Sequence, residues 1–173
     1  MSNAHAVIRL RRDSDLPELA QILVAVHALD GYPVEGVDNP LAWLVSDSTL
    51  SAWVAELDGK LVGHVALSDP SESEGAAKLW AEQHGNTGPG LAMLGRLFVS
   101  PAGRGRGLGA RLTATATNEA RRMNRRAVLD VMEKDVAARK TYERLGWIRL
   151  GEFDHAAGAG RAVPAIAYAA PTE

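Results

Sequence analysis

The chain has 173 residues, 46% of them hydrophobic and 23% charged, which is the size and composition of one globular domain with a packed core. Its formal net charge of -2 gives no general pull toward nucleic acid or an anionic membrane, and no apolar run approaches the ~18 residues that a membrane span needs. Zero cysteines exclude disulfides, thiolate zinc sites and cysteine nucleophiles, and fit a cytoplasmic protein.

No basic segment leads into an apolar core at the N-terminus, so no signal peptide is expected, and residues 1–4 read as a cloning remnant. His5 to Leu10 reads as a short strand. Asp13, Ser14 and Asp15 are suitable N-caps for the helix that follows, and Pro17 is tolerated in its first turn. Leu16, Leu19, Ile22, Leu23 and Val26 recur at helical spacing and give that helix one apolar face. Gly31-Tyr32-Pro33 breaks it, and Asn39-Pro40 opens a second, shorter helix. Leu50 to Leu57 and Lys60 to Ser68 are apolar runs joined by Asp58-Gly59, a pair that accepts the positive dihedrals of a tight hairpin turn. Residues 69–90 form a polar, glycine-rich insertion with a helical turn around Ala76 to Trp80.

Leu91 to Val99 is the next strand, stopped by Ser100-Pro101. A helix spans Gly107 to Met123, a buried-type strand Ala127 to Met132, and a further helix Asp135 to Leu145, closed by Gly146. Trp147 to Phe153 and Ala162 to Tyr168 complete the pattern as a terminal strand pair, with Gly158 and Gly160 in the loop between them. The order shows no internal repeat or linker. It predicts a single mixed α/β domain over 1–173, with a mostly antiparallel sheet of about six to seven strands flanked by about four helices.

The densest chemical signal is Arg104-Gly105-Arg106-Gly107-Leu108-Gly109-Ala110, between a strand and a helix. A helix start carries backbone N–H groups without internal partners, and its dipole favours negative charge there. Glycines let backbone approach a phosphate closely, so a pyrophosphate is the natural guest. The same stretch satisfies Gly-x-Gly-x-x-Ala, with Asp130 about 20 residues on, as in a dinucleotide-binding unit. Only 63 residues follow Ala110, too few for the rest of such a domain. Arg104, Arg106, Arg111, Arg121, Arg122, Arg125 and Arg126 crowd one stretch, but no aromatic residues interleave as a nucleic-acid platform would require. The five histidines are scattered without metal-ligand spacing, and no Gly-x-Ser-x-Gly elbow occurs, so neither a metal site nor a serine hydrolase is expected.

Two blocks together resemble the GNAT acetyltransferase superfamily. Leu97-Phe98-Val99 followed by Arg104-x-x-Gly107-x-Gly109 is similar to its apolar triplet and Arg/Gln-x-x-Gly-x-Gly/Ala signature. Asp135, Ala138, Tyr142, Gly146 and Trp147 then resemble its Asn-x-x-Ala-x-x-x-Tyr helix with the following Gly and aromatic. The likeness covers residues 91–153 closely and 5–90 in element order. It implies direct acetyl transfer from acetyl-CoA to a primary amine or N-terminus. Leu97, Phe98 and Val99 would lie along the pantetheine arm and acetyl group, residues 104–110 would hold the pyrophosphate, and Asp135 and Ala138 would sit beside the CoA arm. Tyr142 would be the general acid toward the departing thiolate. Asp135 departs from the family's Asn and, when ionised, has no side-chain proton to donate.

An alkylamine with a pKa near ~10.4 must lose a proton before it attacks. Many members of the superfamily place a carboxylate on the strand before the glycine loop, whereas here that strand has neither Asp nor Glu. Glu56, His64, Asp30, Glu35 and Asp130 stand as candidate bases, beside a water relay. Asp30, Tyr32 and Glu35 are the candidate acceptor-binding residues, acidic groups suiting a small-molecule or peptide amine. Neither nucleic acid nor membrane is expected as a partner, and the chain is expected to be a monomer or homodimer. Two other readings stay open: a non-catalytic acyl-CoA sensor and a dinucleotide-binding protein.

Overall fold

A computed structural model describes residues 5–70, 75–85 and 90–172. The strands follow the hydrogen-bonded order β1-β2-β3-β4-β5-β7-β6. Contacts divide the chain into two compact units, Met1–Leu67 with Arg96–Ala116, and Ser68–Gly95 with Thr117–Glu173. Strand β4 (Leu91–Val99) and helix α4 (Leu108–Arg122) each run from one unit into the other.

In the first unit, β1 (Ala6–Leu10) pairs antiparallel with β2 (Thr49–Leu57), from Ala6 opposite Leu57 to Leu10 opposite Trp53. Strand β3 (Lys60–Ser68) follows β2 through Asp58 and Gly59, at φ of 51° and 81°, the positive values that the Asp-Gly pair predicts. A 3-10 turn at Asp13–Asp15 leads into α1 (Leu16–Asp30), which ends at Gly31 in the left-handed conformation. Helix α2 (Pro40–Leu44) is capped by the Asn39 side chain, which accepts from the Ala42 N–H. The apolar face read from the sequence is the one that packs: Leu19, Leu23 and Val26 of α1 meet Leu44, Val54, Leu61 and Phe98. Arg9 locks the entrance to α1. Its guanidinium holds both oxygens of Asp15 at 2.8 and 2.9 Å and reaches Glu56 at 2.8 Å. That fork holds the buried Asp15 carboxyl below its ordinary range, against the opposing effect of burial.

In the second unit, Leu91–Met93 of β4 pair in parallel with Arg126–Val128 of β5 (Arg126–Met132). Strand β7 (Arg161–Ala169) pairs antiparallel with both β5 and β6 (Ile148–Gly158). Helix α5 (Val136–Arg144) follows β5. The terminal hairpin is longer than the sequence pattern indicates. Pairing continues to Gly158 opposite Arg161, and the turn is Ala159-Gly160, at φ of 53° and 73°. Alanines in 156–162 have weak strand preference alone, so pairing rather than propensity extends the strands.

The insertion differs more. A single helical turn is expected near Ala76, but α3 runs Gly75–His84, giving five α-helices among the described residues. The remainder of the 69–90 stretch lies partly outside the described residues. Two partners outside the local sequence hold α3: Asp130 Oδ1 accepts from the Ala76 N–H at 2.7 Å, and the Phe153 ring lies flat on Gly75. A Cβ on Gly75 would stand 2.4 Å from that ring. Gly75→Ala should therefore cost about 1–3 kcal/mol of unfolding free energy by overpacking. Combining it with Phe153→Leu should recover part of that loss in a double-mutant cycle read by urea unfolding, whereas strict additivity would show that the two groups do not compete for one space.

Candidate active site

The glycine-rich turn is built within the first unit. Pro101–Gly103 make a 3-10 turn, and Gly103 is pressed so closely on Val62 that an added Cβ would lie 2.9 Å from the Val62 Cβ. Gly105 and Gly107 take φ of 77° and 73°, where a side chain would be strained. The first intrahelical bond of α4 runs from the Arg111 N–H to the Gly107 carbonyl at 3.1 Å. The N–H groups of Leu108, Gly109 and Ala110 therefore precede the helical ladder. Added Cβ atoms at Gly105, Gly107 and Gly109 would meet nothing within 4 Å. Open space thus adjoins a row of donors at the positive end of a fifteen-residue helix, a cradle fit for a phosphate. Buried Leu108 anchors the helix start from beneath.

Arg104, though exposed, is tied back to the protein. Its Nε donates to the Val99 carbonyl at 3.0 Å, and its terminal nitrogens clasp both oxygens of Asp30. The base and substrate candidate Asp30 is thus ion-paired with a residue of the loop. Arg106 is exposed, and Gly105–Ala110 otherwise contribute backbone.

Just upstream, β4 carries a local irregularity. Arg96 has φ of 51°, uncommon for a non-glycine residue inside a strand. His64 on β3 braces it. The imidazole is wholly buried, stacks on Phe98 with centroids 5.3 Å apart, and places Nδ1 2.7 Å from the Arg96 carbonyl. The Arg11 guanidinium lies 3.1 Å from Nε2. An arginine can only donate, so Nε2 accepts, the ring proton is on Nδ1, and Nδ1–H donates to Arg96. Burial, with the two nearby cations, pushes the His64 pKa down to about 4. His64 is thereby a neutral imidazole with both nitrogens engaged. Glu56, the other candidate base of the hairpin, is held by Arg9.

The loop after α1 meets the same region. Tyr32 packs edge-on against Trp43 at 5.7 Å, and Trp43 faces Phe98 at 6.2 Å. Arg96 lies over the Trp43 ring and its Nε donates to the Trp43 carbonyl at 2.6 Å. Neither Arg96 nor Arg11 stands out in the sequence as a site residue. Arg11 follows a strand and Arg96 interrupts an apolar run, and only the fold joins them at His64. Glu35 lies exposed in the same loop.

In the second unit, Tyr142 of α5 is buried among Trp147 and Tyr168, at centroid distances of 5.7 and 6.2 Å. Its hydroxyl makes no hydrogen bond among the described residues, whereas the Tyr168 hydroxyl donates to Glu143. Burial first, then the nearby charge of Asp135, raises the Tyr142 pKa. Asp135 is the N-cap residue of α5 by position but makes no capping bond with its side chain, which lies 3.3 Å from the Lys134 ammonium. Ala138, one turn before Tyr142, is half-buried. Asp130 caps α3, so this base candidate already serves a helix start.

His64 has a measurable signature. Its folded pKa of about 4 lies below the ordinary 6.5, so the unfolded chain takes up the proton first. The associated stability is complete above pH ~6.5 and is lost as the pH falls toward ~4, on the order of 3 kcal/mol by linkage. Urea unfolding between pH 7.5 and 4.5 should show this slope, and His64→Gln should flatten it relative to the parent.

The Acetyltransferase (GNAT) family matches residues 16–147. An uncharacterized N-acetyltransferase of Archaeoglobus fulgidus is 32% identical over 140 residues, 78% of this chain and 88% of that protein. Among solved structures, YncA of Salmonella typhimurium with its cofactor acetyl-CoA shares 20% identity, with TM-score 0.69 over 99% of this chain and 95% of that one. The ribosomal-protein-S18-alanine N-acetyltransferase of Escherichia coli shares 20% identity, with TM-score 0.70 over 96% and 94%. NAA60 of Arabidopsis thaliana in complex with acetyl-CoA shares 18%, with TM-score 0.71 over 95% and 98%. These structures share the fold; the family itself follows from the matched 16–147 segment and the archaeal relative, and this chain belongs to the GNAT acetyltransferase family.

Proposed function

We propose that this acetyltransferase binds acetyl-CoA through residues 104–110 and transfers the acetyl group directly to a primary amine. The observation that carries the donor half is the row of unladdered N–H groups at the start of α4, beside glycines whose Cβ directions are open. Backbone of Leu97, Phe98 and Val99 holds the pantetheine arm and polarises the thioester carbonyl; buried Phe98 keeps that strand segment fixed. Asp135 and Ala138 lie beside the CoA arm in this reading. Asp30, Tyr32 and Glu35 belong to the acceptor side, with Asp30 acting through its pair with Arg104. No helix among the described residues is long and apolar enough to cross a membrane.

In the reaction the amine nitrogen attacks the thioester carbonyl carbon, and the oxyanion that develops is met by backbone N–H. The C–S bond breaks as the amide forms, the amine proton passes to water or a base, and the thiolate takes a proton. Tyr142 is the proposed donor of that proton. Its phenol is a weak acid here, because burial and Asp135 both raise its pKa from about 10. Transfer to a thiolate with pKa near ~8.5 is uphill, so the phenol first hydrogen-bonds the sulfur as charge develops, and the proton it gives up is replaced from water.

Calorimetric titration tests the donor half: CoA should bind and NADH should not, and NADH binding without CoA binding would sink the proposal. Gly107→Val should weaken CoA about ten-fold or more, by straining the left-handed turn and filling the cradle. Tyr142→Phe should lower turnover about 100-fold, measured by thiol release, with CoA affinity little changed. Asp135→Asn removes the nearby charge that helps to raise the phenol pKa, so it should raise turnover a few-fold, roughly, through Tyr142 and have no such effect in the Tyr142→Phe background. CoA binding with no amine acetylated across a broad panel would favour the sensor reading instead.

A further inference from the structure

Arg11 and Arg96 are both half-buried, and both are bound to the protein by only part of their donor sets. Arg11 uses Nη1 for the Leu44 carbonyl and for His64, and Arg96 uses Nε for the Trp43 carbonyl. Among the described residues no hydrogen bond takes up Nη2 of Arg11 or either terminal nitrogen of Arg96, and neither residue forms an ion pair. The nearest acidic influences on Arg11 are Asp13 and Asp15, and Asp15 is committed to Arg9. The two guanidiniums are near enough to repel: burial first, and then Arg96, pull the Arg11 pKa below its ordinary value against the attraction of Asp13. His64 cannot relieve them, since it is neutral and presents one lone pair, already used. The unpaired terminal nitrogens are not sealed from solvent, so an anion can reach them, and two like charges side by side favour one. The aromatic rings of Trp43 and Phe98 line the same place, and Arg96 immediately precedes the Leu97-Phe98-Val99 segment.

We propose that Arg11 and Arg96 form a carboxylate-binding site for the acceptor, so that the substrate is a small amine that also carries a carboxylate, the amino-acid class. The proposal rests on the acetyltransferase reading for the fate of the amine, but the anion site stands on its own geometry. Planar guanidinium groups suit a carboxylate because two parallel donors meet its two oxygens. A protein N-terminus presents an amide at the corresponding point and would leave the pair unmatched.

The test uses N-acetylated amino acids with apolar and polar side chains, each against its own carboxamide, titrated calorimetrically into the full-length protein with and without CoA. At least one acid should bind about ten-fold or more tightly than its amide. In Arg96→Leu and in Arg11→Leu that ratio should fall toward one. The ratio reads the site even if a variant loses stability, because a general loss of folded protein lowers acid and amide alike. In each variant CoA affinity should fall less than acid affinity. Equal binding of acids and amides, or no binding of either, would overturn the proposal. So would a fall in CoA affinity as large as the fall in acid affinity, which would assign the pair to the donor. Failure of CoA to bind the parent protein falls on the function proposed above, and the titration without CoA still decides the acid-to-amide ratio.

Discussion

The hydrogen bond from His64 Nδ1 to the Arg96 carbonyl holds the most demanding backbone of the first unit in place. A non-glycine residue at φ of 51° within a strand is unfavourable on its own, by about 1–3 kcal/mol, and persists only when its surroundings over-determine it. His64 does this from β3 with its ring stacked on Phe98, while the Arg96 side chain is tied back to Trp43. The bond requires a neutral ring with its proton on Nδ1, and Arg11 enforces that tautomer from the other side. The next residues, Leu97 to Val99, are those proposed to keep their backbone in register with a thioester. A histidine that reads as a candidate base is in this fold a brace for that strand.

A second economy appears where β4 becomes α4. Arg104 adds less positive charge to the phosphate cradle than its sequence position suggests, because Asp30 neutralises much of it. What Arg104 contributes is shape. By holding the Val99 carbonyl and Asp30 together it fixes the end of α1 to the start of the turn, so the donors of residues 105–110 face a set space. Such a site relies on backbone dipoles and not on mobile charges, and so costs little reorganisation when an anion arrives.

Local rules made much of this legible in the sequence. Asp58-Gly59, Gly31 and the Leu19-Leu23-Val26 stripe each obey a backbone or periodicity rule, and each appears where the rule puts it. The turn at Gly105 and Gly107 and the helix start after it were readable for the same reason, since they are built from contiguous residues. The full length of α3 was not, because its support comes from Asp130 and Phe153, 54 residues and more beyond the helix start. The Arg11–His64–Arg96 group was hidden for that reason too. It joins residues from three separate segments that share no local pattern, and its members look like a strand-end cation, a base and a stray charge.

The two arginines bear on how the amine could lose its proton without a dedicated base. Glu56 is held by Arg9, Asp30 by Arg104, Asp130 by the start of α3, and His64 has no lone pair to offer. Deprotonating an alkylamine of pKa ~10.4 at pH 7 costs about 4–5 kcal/mol. A single uncompensated cation about 7 Å away, at an effective dielectric near 20, disfavours the ammonium form by roughly 2 kcal/mol. If a substrate carboxylate balances one guanidinium, the other remains to act on the amine. That remaining guanidinium would then supply about half of the deprotonation cost by repulsion alone, leaving a gap that water and moderately alkaline pH can close. On the proposed reading, recognition of the acceptor by its carboxylate would also loosen the amine proton, and the strand before the glycine loop could do without a carboxylate of its own.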